Sequence, residues 1–308
     1  MAIQSIYVIS DTTAALNELC AGAKALADKV TAVMFGDEAA AQAAGVCGAD
    51  ALVYCPVSET ACPEDFAKAI AELVKKDPAA LVIVGNSIRG RALAGKLGAL
   101  LDTAVLTGAA AIRADGDKAV IDRVVYGGTA QRTEVFTKAY GVVTVGSGMF
   151  EVGEALPATT AISAIEGEPT AGIKVVARNE KKEGGANLVT AKRIVDVGRG
   201  LAAEEDLEMV RKLAAVLGAE VGCSRPVAEN NKWLPKANYM GITGVQVKPE
   251  LIFVMGVSGQ IQHIGGINKS KTIVAVNKDK AALIFKNADF GLVGDMYKIV
   301  PALIEKLS

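Results

Sequence analysis

Arg193-Ile194-Val195-Asp196-Val197-Gly198-Arg199-Gly200-Leu201-Ala202-Ala203 runs from a short aliphatic stretch through two glycines toward the predicted helix Glu204–Leu217. A strand, a glycine turn and a helix in that order open a βαβ unit. Downstream, Ala219–Cys223, Leu251–Gly256, Thr272–Val276 and Phe290–Gly294 read as further strands, and Met296–Lys306 as a closing helix. Upstream, residues 166–186 are polar, charged and glycine-rich, the composition of a linker.

The N-terminal part shows the same alternation. Ser5–Ser10, Val30–Phe35, Ala51–Tyr54 and Leu81–Gly85 read as strands, and Thr13–Ala27, Glu38–Ala44, Pro63–Lys76 and Arg89–Leu101 as helices. Pro63, Glu64 and Asp65 suit a positive helix N-terminus. Beyond Thr107 the rhythm changes. Val120–Tyr126, Glu134–Thr137 and Ala139–Val145 are closely spaced strands that predict an antiparallel extension. The expected fold class is therefore α/β, with two doubly wound domains and mostly parallel sheets, over residues 1–186 and 187–308.

Composition agrees. Of 308 residues, 51% are hydrophobic and 22% charged, which excludes a disordered chain, and aromatics are only 5%, so the core is aliphatic. Thirty-three basic against 34 acidic residues remove the bulk electrostatic reason to bind nucleic acid or an anionic membrane. Mean hydropathy is +0.32, yet the most apolar region, Ala92–Ile112, is broken by Lys96 and Asp102. No membrane span is expected. The N-terminus reads as a strand rather than a signal peptide. Five cysteines (Cys20, Cys47, Cys55, Cys62 and Cys223) form no CxxC pair and point to free thiols in a reducing cytoplasm. With His263 as the single histidine, a multi-histidine metal site is excluded.

The chemistry-bearing residues follow strands. Gly198-Arg199-Gly200-Leu201-Ala202-Ala203 fits G-x-G-x-x-A, and Glu220 lies where a ribose-binding acid is expected. The same glycines equally serve a tight structural turn. Ser224 and Arg225 offer a hydroxyl and a fixed cation, unless Arg225 simply pairs with a surface carboxylate. Gly241-Ile242-Thr243-Gly244 exposes a hydroxyl, or is a turn before the next strand. Ser258, Gly259, Gln262 and His263 form a polar loop with a lone imidazole. Asn277 ends a strand, and Asp295 either faces a ligand or caps the last helix. Together these loops describe one pocket for a dinucleotide.

Gly198-Arg199-Gly200-Leu201, Gly222-Cys223-Ser224-Arg225-Pro226, Gly241-Ile242-Thr243-Gly244, Gly256 to His263, Val276-Asn277-Lys278-Asp279 and Ala288-Asp289-Phe290-Gly291 resemble, in this order, the electron-transfer flavoprotein α-subunit family. Cys223 to Trp233 resembles the branch linked to carnitine or acyl-CoA metabolism and fatty acid oxidation. The resemblance implies an FAD-binding electron carrier without its own substrate turnover. It also implies a heterodimer with a β-subunit that the N-terminal domain contacts, flavin-dependent dehydrogenases as donors, and a quinone- or ferredoxin-side acceptor. Carried over, Arg225 sits against the flavin ring, Thr243 near N5 and His263 at the O2 side. Ser258, Gly259 and Gln262 hold ribityl and phosphate groups, and Arg199, Gly200, Ser224, Gly241 and Gly244 line the cofactor. Asn277 and Asp295 lie toward adenosine. Ile242 departs from the glutamine common in the family. Two rivals stay open: an NAD-dependent dehydrogenase built on the Gly198-x-Gly200 turn, and a non-redox nucleotide-binding module.

Overall fold

Ile3-Gln4-Ser5-Ile6-Tyr7-Val8-Ile9-Ser10 forms strand β1, and its side chains alternate between two apolar layers. Ile6 and Val8 join the cluster under helix α1 (Thr13–Lys24), whereas Tyr7 and Ile9 join the one under α3 (Ala67–Val74) and α4 (Ile88–Leu100). Period-two alternation with apolar residues on both faces is what a sheet covered on both sides requires. The computed structural model describes residues 3–58, 60–152, 156–159, 161–170, 173, 175–177 and 187–307. Its contacts group into two units, residues 1–179 and 180–308. The 186/187 boundary read from the linker falls beside residues 178–186, outside those described.

The first unit continues through β2 (Ala27–Phe35), α2 (Glu38–Ala43), β3 (Ala51–Cys55), β4 (Ala80–Gly85), β5 (Val105–Asp115), β6 (Lys118–Val125), β7 (Ala130–Val135), β8 (Tyr140–Val145) and β9 (Ala161–Ala164). The sheet order is β7-β6-β5-β8-β4-β1-β2-β3-β9. Among the described residues, only the β5/β6 and β6/β7 pairs are antiparallel. The predicted strand Ala139–Val145 is thus no part of the extension. As β8 it pairs in parallel with both β4 and β5, buried along Gly141–Val145. Glu134–Thr137 shifts to β7, with Phe136 and Thr137 beyond its end. The predicted helix Pro63–Lys76 divides into a 3₁₀ turn, Pro63–Phe66, and α3. Thr13–Ala27 ends at Lys24, and Ala27 already belongs to β2.

Asp77 closes the amino end of this sheet. Its carboxylate accepts hydrogen bonds from Ser5 Oγ (2.6 Å), Tyr7 OH (2.9 Å) and Lys29 Nζ (3.0 Å). Burial works against ionisation, but these donors outweigh it and hold the Asp77 carboxyl below its ordinary range. A carboxyl with a depressed folded pKa stabilises above its unfolded value and loses that contribution as pH falls. Asp77→Ala is therefore expected to cost about 1–3 kcal/mol near neutrality. Thermal denaturation followed by circular dichroism should show that deficit shrinking below about pH 4.

The second unit contains β10 (Arg193–Val197), α5 (Leu207–Leu217), β11 (Glu220–Cys223), β12 (Leu251–Met255), α6 (Ile261–Ile267), β13 (Ile273–Asn277), β14 (Phe290–Val293) and α7 (Met296–Leu307). All strand pairs are parallel, in the order β11-β10-β12-β13-β14. Val195 and Val197 face the cluster that includes α5 and α7, and Ile194 faces the one that includes α6. Helix α5 starts later than Glu204 because Glu204–Asp206 form a turn, in which Asp206 Oδ2 accepts from the Ala203 amide at 3.0 Å. Among the described residues, no helix is long and apolar enough to cross a membrane.

Candidate functional site

Five parallel strands present their carboxyl ends along one edge. β10 delivers Gly198-Arg199-Gly200, β11 delivers Ser224-Arg225, and β12 delivers Ser258-Gly259. β13 ends at Asn277, and β14 leads to Asp295. Chain order reverses between β10 and β12. Such a switch point opens a crevice at the carboxyl edge, where open α/β sheets bind ligands.

At this switch point the two loops touch through backbone. Gly198 N–H donates to Met255 O and Gly200 N–H to Gly256 O, both at 2.9 Å. A Cβ on Gly198 would sit 2.7 Å from Val257 Cα, and one on Gly200 would sit 2.6 Å from Gly256 Cα. Loop-to-loop approach therefore demands these glycines. No helix starts at Gly200, since α5 begins at Leu207. The G-x-G-x-x-A match therefore does not run directly into a helix, and the predicted start at Glu204 is corrected. Glu220 is corrected too: it opens β11 opposite Ile194, at the amino edge and away from these loops.

The segment after β11 folds back onto this edge. Met240 N–H donates to Cys223 O (3.0 Å), Ile242 N–H to Gln262 O (2.8 Å) and Gly244 N–H to Gly241 O (3.1 Å). Thr243 is exposed, with its hydroxyl 3.0 Å from Tyr239 OH. Ile242 beside it is 42% exposed.

Gln262 and His263 do not lie in a loop as expected; they belong to helix α6. Gln262 points outward, while His263 is buried. Its Nε2 lies 2.6 Å from Asp196 Oδ2 and its Nδ1 3.1 Å from Met240 O. Burial alone would lower the imidazole pKa, but the charge and hydrogen bond of Asp196 prevail and raise it above its ordinary value. Asp196 is fully buried, and its Oδ1 has no hydrogen-bond partner. Sequence reasoning missed Asp196. The available signal was a lone acid inside the apolar strand Arg193–Val197, since a buried carboxylate needs a partner.

The remaining predicted residues divide by environment. Ser224 is buried at the end of β11, and its Oγ has no partner. Arg225 is exposed; its Nε donates to Glu229 Oε2 at 2.5 Å, so the surface ion pair is real. Asn277 links loops, donating to Val257 O (2.8 Å) and accepting from the Asp279 amide (2.9 Å). Asp295 Oδ1 accepts from the Tyr297 amide (3.0 Å) and so caps α7. Arg199, Gly200 and Ser258 are exposed on the same edge, and Gly259 is buried in it.

A parallel sheet with polar strand-end loops at a switch point is an architecture that nucleotide cofactors use. Residues 187–268 match the family model described as "Electron transfer flavoprotein FAD-binding domain", and residues 10–181 match "Electron transfer flavoprotein domain". The chain belongs to the electron transfer flavoprotein α-subunit family, and its cofactor is FAD. It is 38% identical over 306 residues, 98% of each chain, to "Protein FixB" of Escherichia coli O81 (strain ED1a). "Protein FixB" of Escherichia coli O157:H7 and of Shigella flexneri match to the same extent. The residues present fit FAD: the unpartnered Ser224 hydroxyl and the exposed Thr243 and Arg225 side chains supply hydrogen-bond donors to a dinucleotide.

Proposed function

We propose that this chain is the α-subunit of a heterodimeric electron-transfer flavoprotein that carries electrons from acyl-CoA-type, flavin-dependent dehydrogenases to a quinone- or ferredoxin-side acceptor. The observation that carries this reading is the placement of Ser224, Arg225 and Ser258 at strand ends along one sheet edge, in a chain of this family, with the Gly241–Gly244 segment tied to Gln262 by the Ile242 N–H. When bound, FAD supplies the electron-transfer chemistry. The chain supplies orientation and electrostatics. Ser224 Oγ, buried and unpartnered, is a ready donor, and Arg225 brings a permanent cation. Arg199, Gly200, Gly241, Gly244 and Gly259 are assigned to lining the cofactor, and Asn277 and Asp295 to its adenosine end. The family's α-subunits pair with a β-subunit, and the N-terminal unit is assigned to that contact.

A carrier role, without substrate turnover, is supported by His263, whose ring nitrogens are both engaged within the chain and unfit for general-base work. A cytoplasmic location is supported by five buried, free cysteines.

Co-expression with a β-subunit of the same family should yield a yellow heterodimer that is reduced by an acyl-CoA dehydrogenase and its substrate. A complex that stays colourless after incubation with excess FAD overturns the proposal. Arg225→Ala is expected to weaken FAD retention by roughly tenfold, the worth of one charge-assisted hydrogen bond. Equilibrium dialysis with flavin absorbance checks it, and unchanged retention removes Arg225 from the site.

A further inference from the structure

Helix α1 carries Cys20 on its buried face, and the turn between α2 and β3 carries Cys47. Both are fully buried in one apolar cluster with Leu19, Ala23, Ala44 and Ala49. There the two thiols meet, the Cys20 S–H donating a hydrogen bond to Cys47 Sγ. Thr159 Oγ1 lies 3.5 Å from Cys47 Sγ and gives its own hydrogen to Ala49 O at 2.8 Å. With that hydrogen committed, Thr159 accepts from Cys47. The Cys47 sulfur is thus fixed between a donor and an acceptor. Its turn is pinned by bonds from Gly48 N–H to Pro157 O (3.0 Å) and from Thr159 N–H to Gly45 O (2.6 Å). The remaining cysteines sit elsewhere: Cys55 in the opposite apolar layer, Cys223 in the other unit, and Cys62 against Arg89, with Sγ 3.3 Å from a guanidinium nitrogen.

We propose that Cys20 and Cys47 form a peroxide-sensitive modification site, which closes into a reversible disulfide between helix α1 and the turn before β3. In the first step the Cys47 sulfur attacks one oxygen of hydrogen peroxide. An S–O bond forms, the O–O bond breaks, and the thiol proton leaves with the other oxygen as water. The Cys20 sulfur then attacks the Cys47 sulfenic acid. An S–S bond forms, the S–O bond breaks, and hydroxide leaves with the Cys20 proton as a second water. Two thiols are oxidised and one peroxide is reduced to two waters. The bond that Cys47 accepts from Cys20 lowers its thiol to about 6 against the effect of burial, which favours it as the attacking sulfur. The bridge closes the chain across β2 and α2, so oxidation should raise the unfolding midpoint by restricting the unfolded chain. Both sulfurs lie in the N-terminal unit, and the site is independent of the flavin reading.

The full chain is treated with hydrogen peroxide under native conditions, alkylated in denaturant, digested and mapped by mass spectrometry. The expected product is one linked peptide pair, Cys20 with Cys47, lighter by two hydrogen atoms and separated by dithiothreitol, with Cys55, Cys62 and Cys223 alkylated. Peroxide treatment in urea is the control. An unfolded chain favours its shorter loops, Cys47 with Cys55 or Cys55 with Cys62, so a Cys20–Cys47 link as the main native product requires the folded contact. Cys20→Ser should stop the reaction at a Cys47 sulfenic acid that dimedone traps, and Cys47→Ser should leave Cys20 unmodified. The wild-type map decides even where a serine variant folds poorly. Five alkylated cysteines, a native link through any other cysteine, or Cys47 passing to sulfinic acid with Cys20 still free overturns the proposal.

Discussion

His263→Leu is expected to destabilise the C-terminal unit by about 3–5 kcal/mol, the cost of leaving a buried charge without its partner. Asp196 is fully buried, and its Oδ1 already lacks a hydrogen bond, so losing His263 strands both oxygens. Urea unfolding followed by the fluorescence of Trp233, the chain's only tryptophan, which packs against the cluster that includes α5 and α7, reports on this unit directly. The pH dependence has a definite sign. In the wild type, His263 has a folded pKa above its unfolded value, so its contribution is fully present below about pH 6.5 and is lost as pH rises through the folded value. His263→Leu lacks this titrating group, so the deficit should be fully present below about pH 6.5 and shrink as pH rises. A deficit below 1 kcal/mol, or one independent of pH, would mean that the pair is solvated.

Gly259→Ala should cost about 3 kcal/mol and release FAD, combining left-handed strain with overpacking. Gly259 has φ +83°, and a Cβ there would meet Ile284 N and lie 2.6 Å from Ile284 Cα. Neither atom can yield, because both are backbone in the turn Leu283–Lys286. The Ile284 N–H to Ser258 O bond (3.2 Å) ties this turn to the loop leaving β12, so pushing the two apart moves Ser258 on the cofactor edge. Trp233 fluorescence gives the stability, and flavin absorbance of the purified heterodimer gives the retained FAD. Full retention would show that the loop adapts and would remove Gly259 from the cofactor machinery.

Parallel strands closed by glycine turns were readable because their signals are local. Arg193–Val197 forms as expected, and Phe290–Gly294 differs by one residue. Strand β5 escaped notice: Thr107-Gly108-Ala109-Ala110-Ala111 has little strand propensity, and it is extended because β8 and β6 flank it. Helix α6 escaped because Gly265-Gly266 argues against a helix. The fold needs glycine there, since a Cβ on Gly266 would come within 2.5 Å of Gly241 Cα, where the helix meets the returning segment. The G-x-G-x-x-A match misled for a related reason. Its spacing is that of a dinucleotide turn, but the glycines serve contact with Gly256.

The amino-acid order alone carried the α/β alternation, the parallel C-terminal sheet, the family motifs and the strand-end positions of Ser224, Arg225, Ser258 and Asn277. Each depends on neighbours within a few residues, through hydrophobic period, turn chemistry and motif spacing. Tertiary structure alone decided that β8 enters the sheet in parallel beside β4, that Glu220 opens the far edge, and that Asp196 and His263 share a proton-bearing contact across 67 residues of chain. Two ionisable groups so distant acquire their partnership only when folding brings them together, and the charge and hydrogen bond of Asp196 then raise the imidazole pKa against the effect of burial.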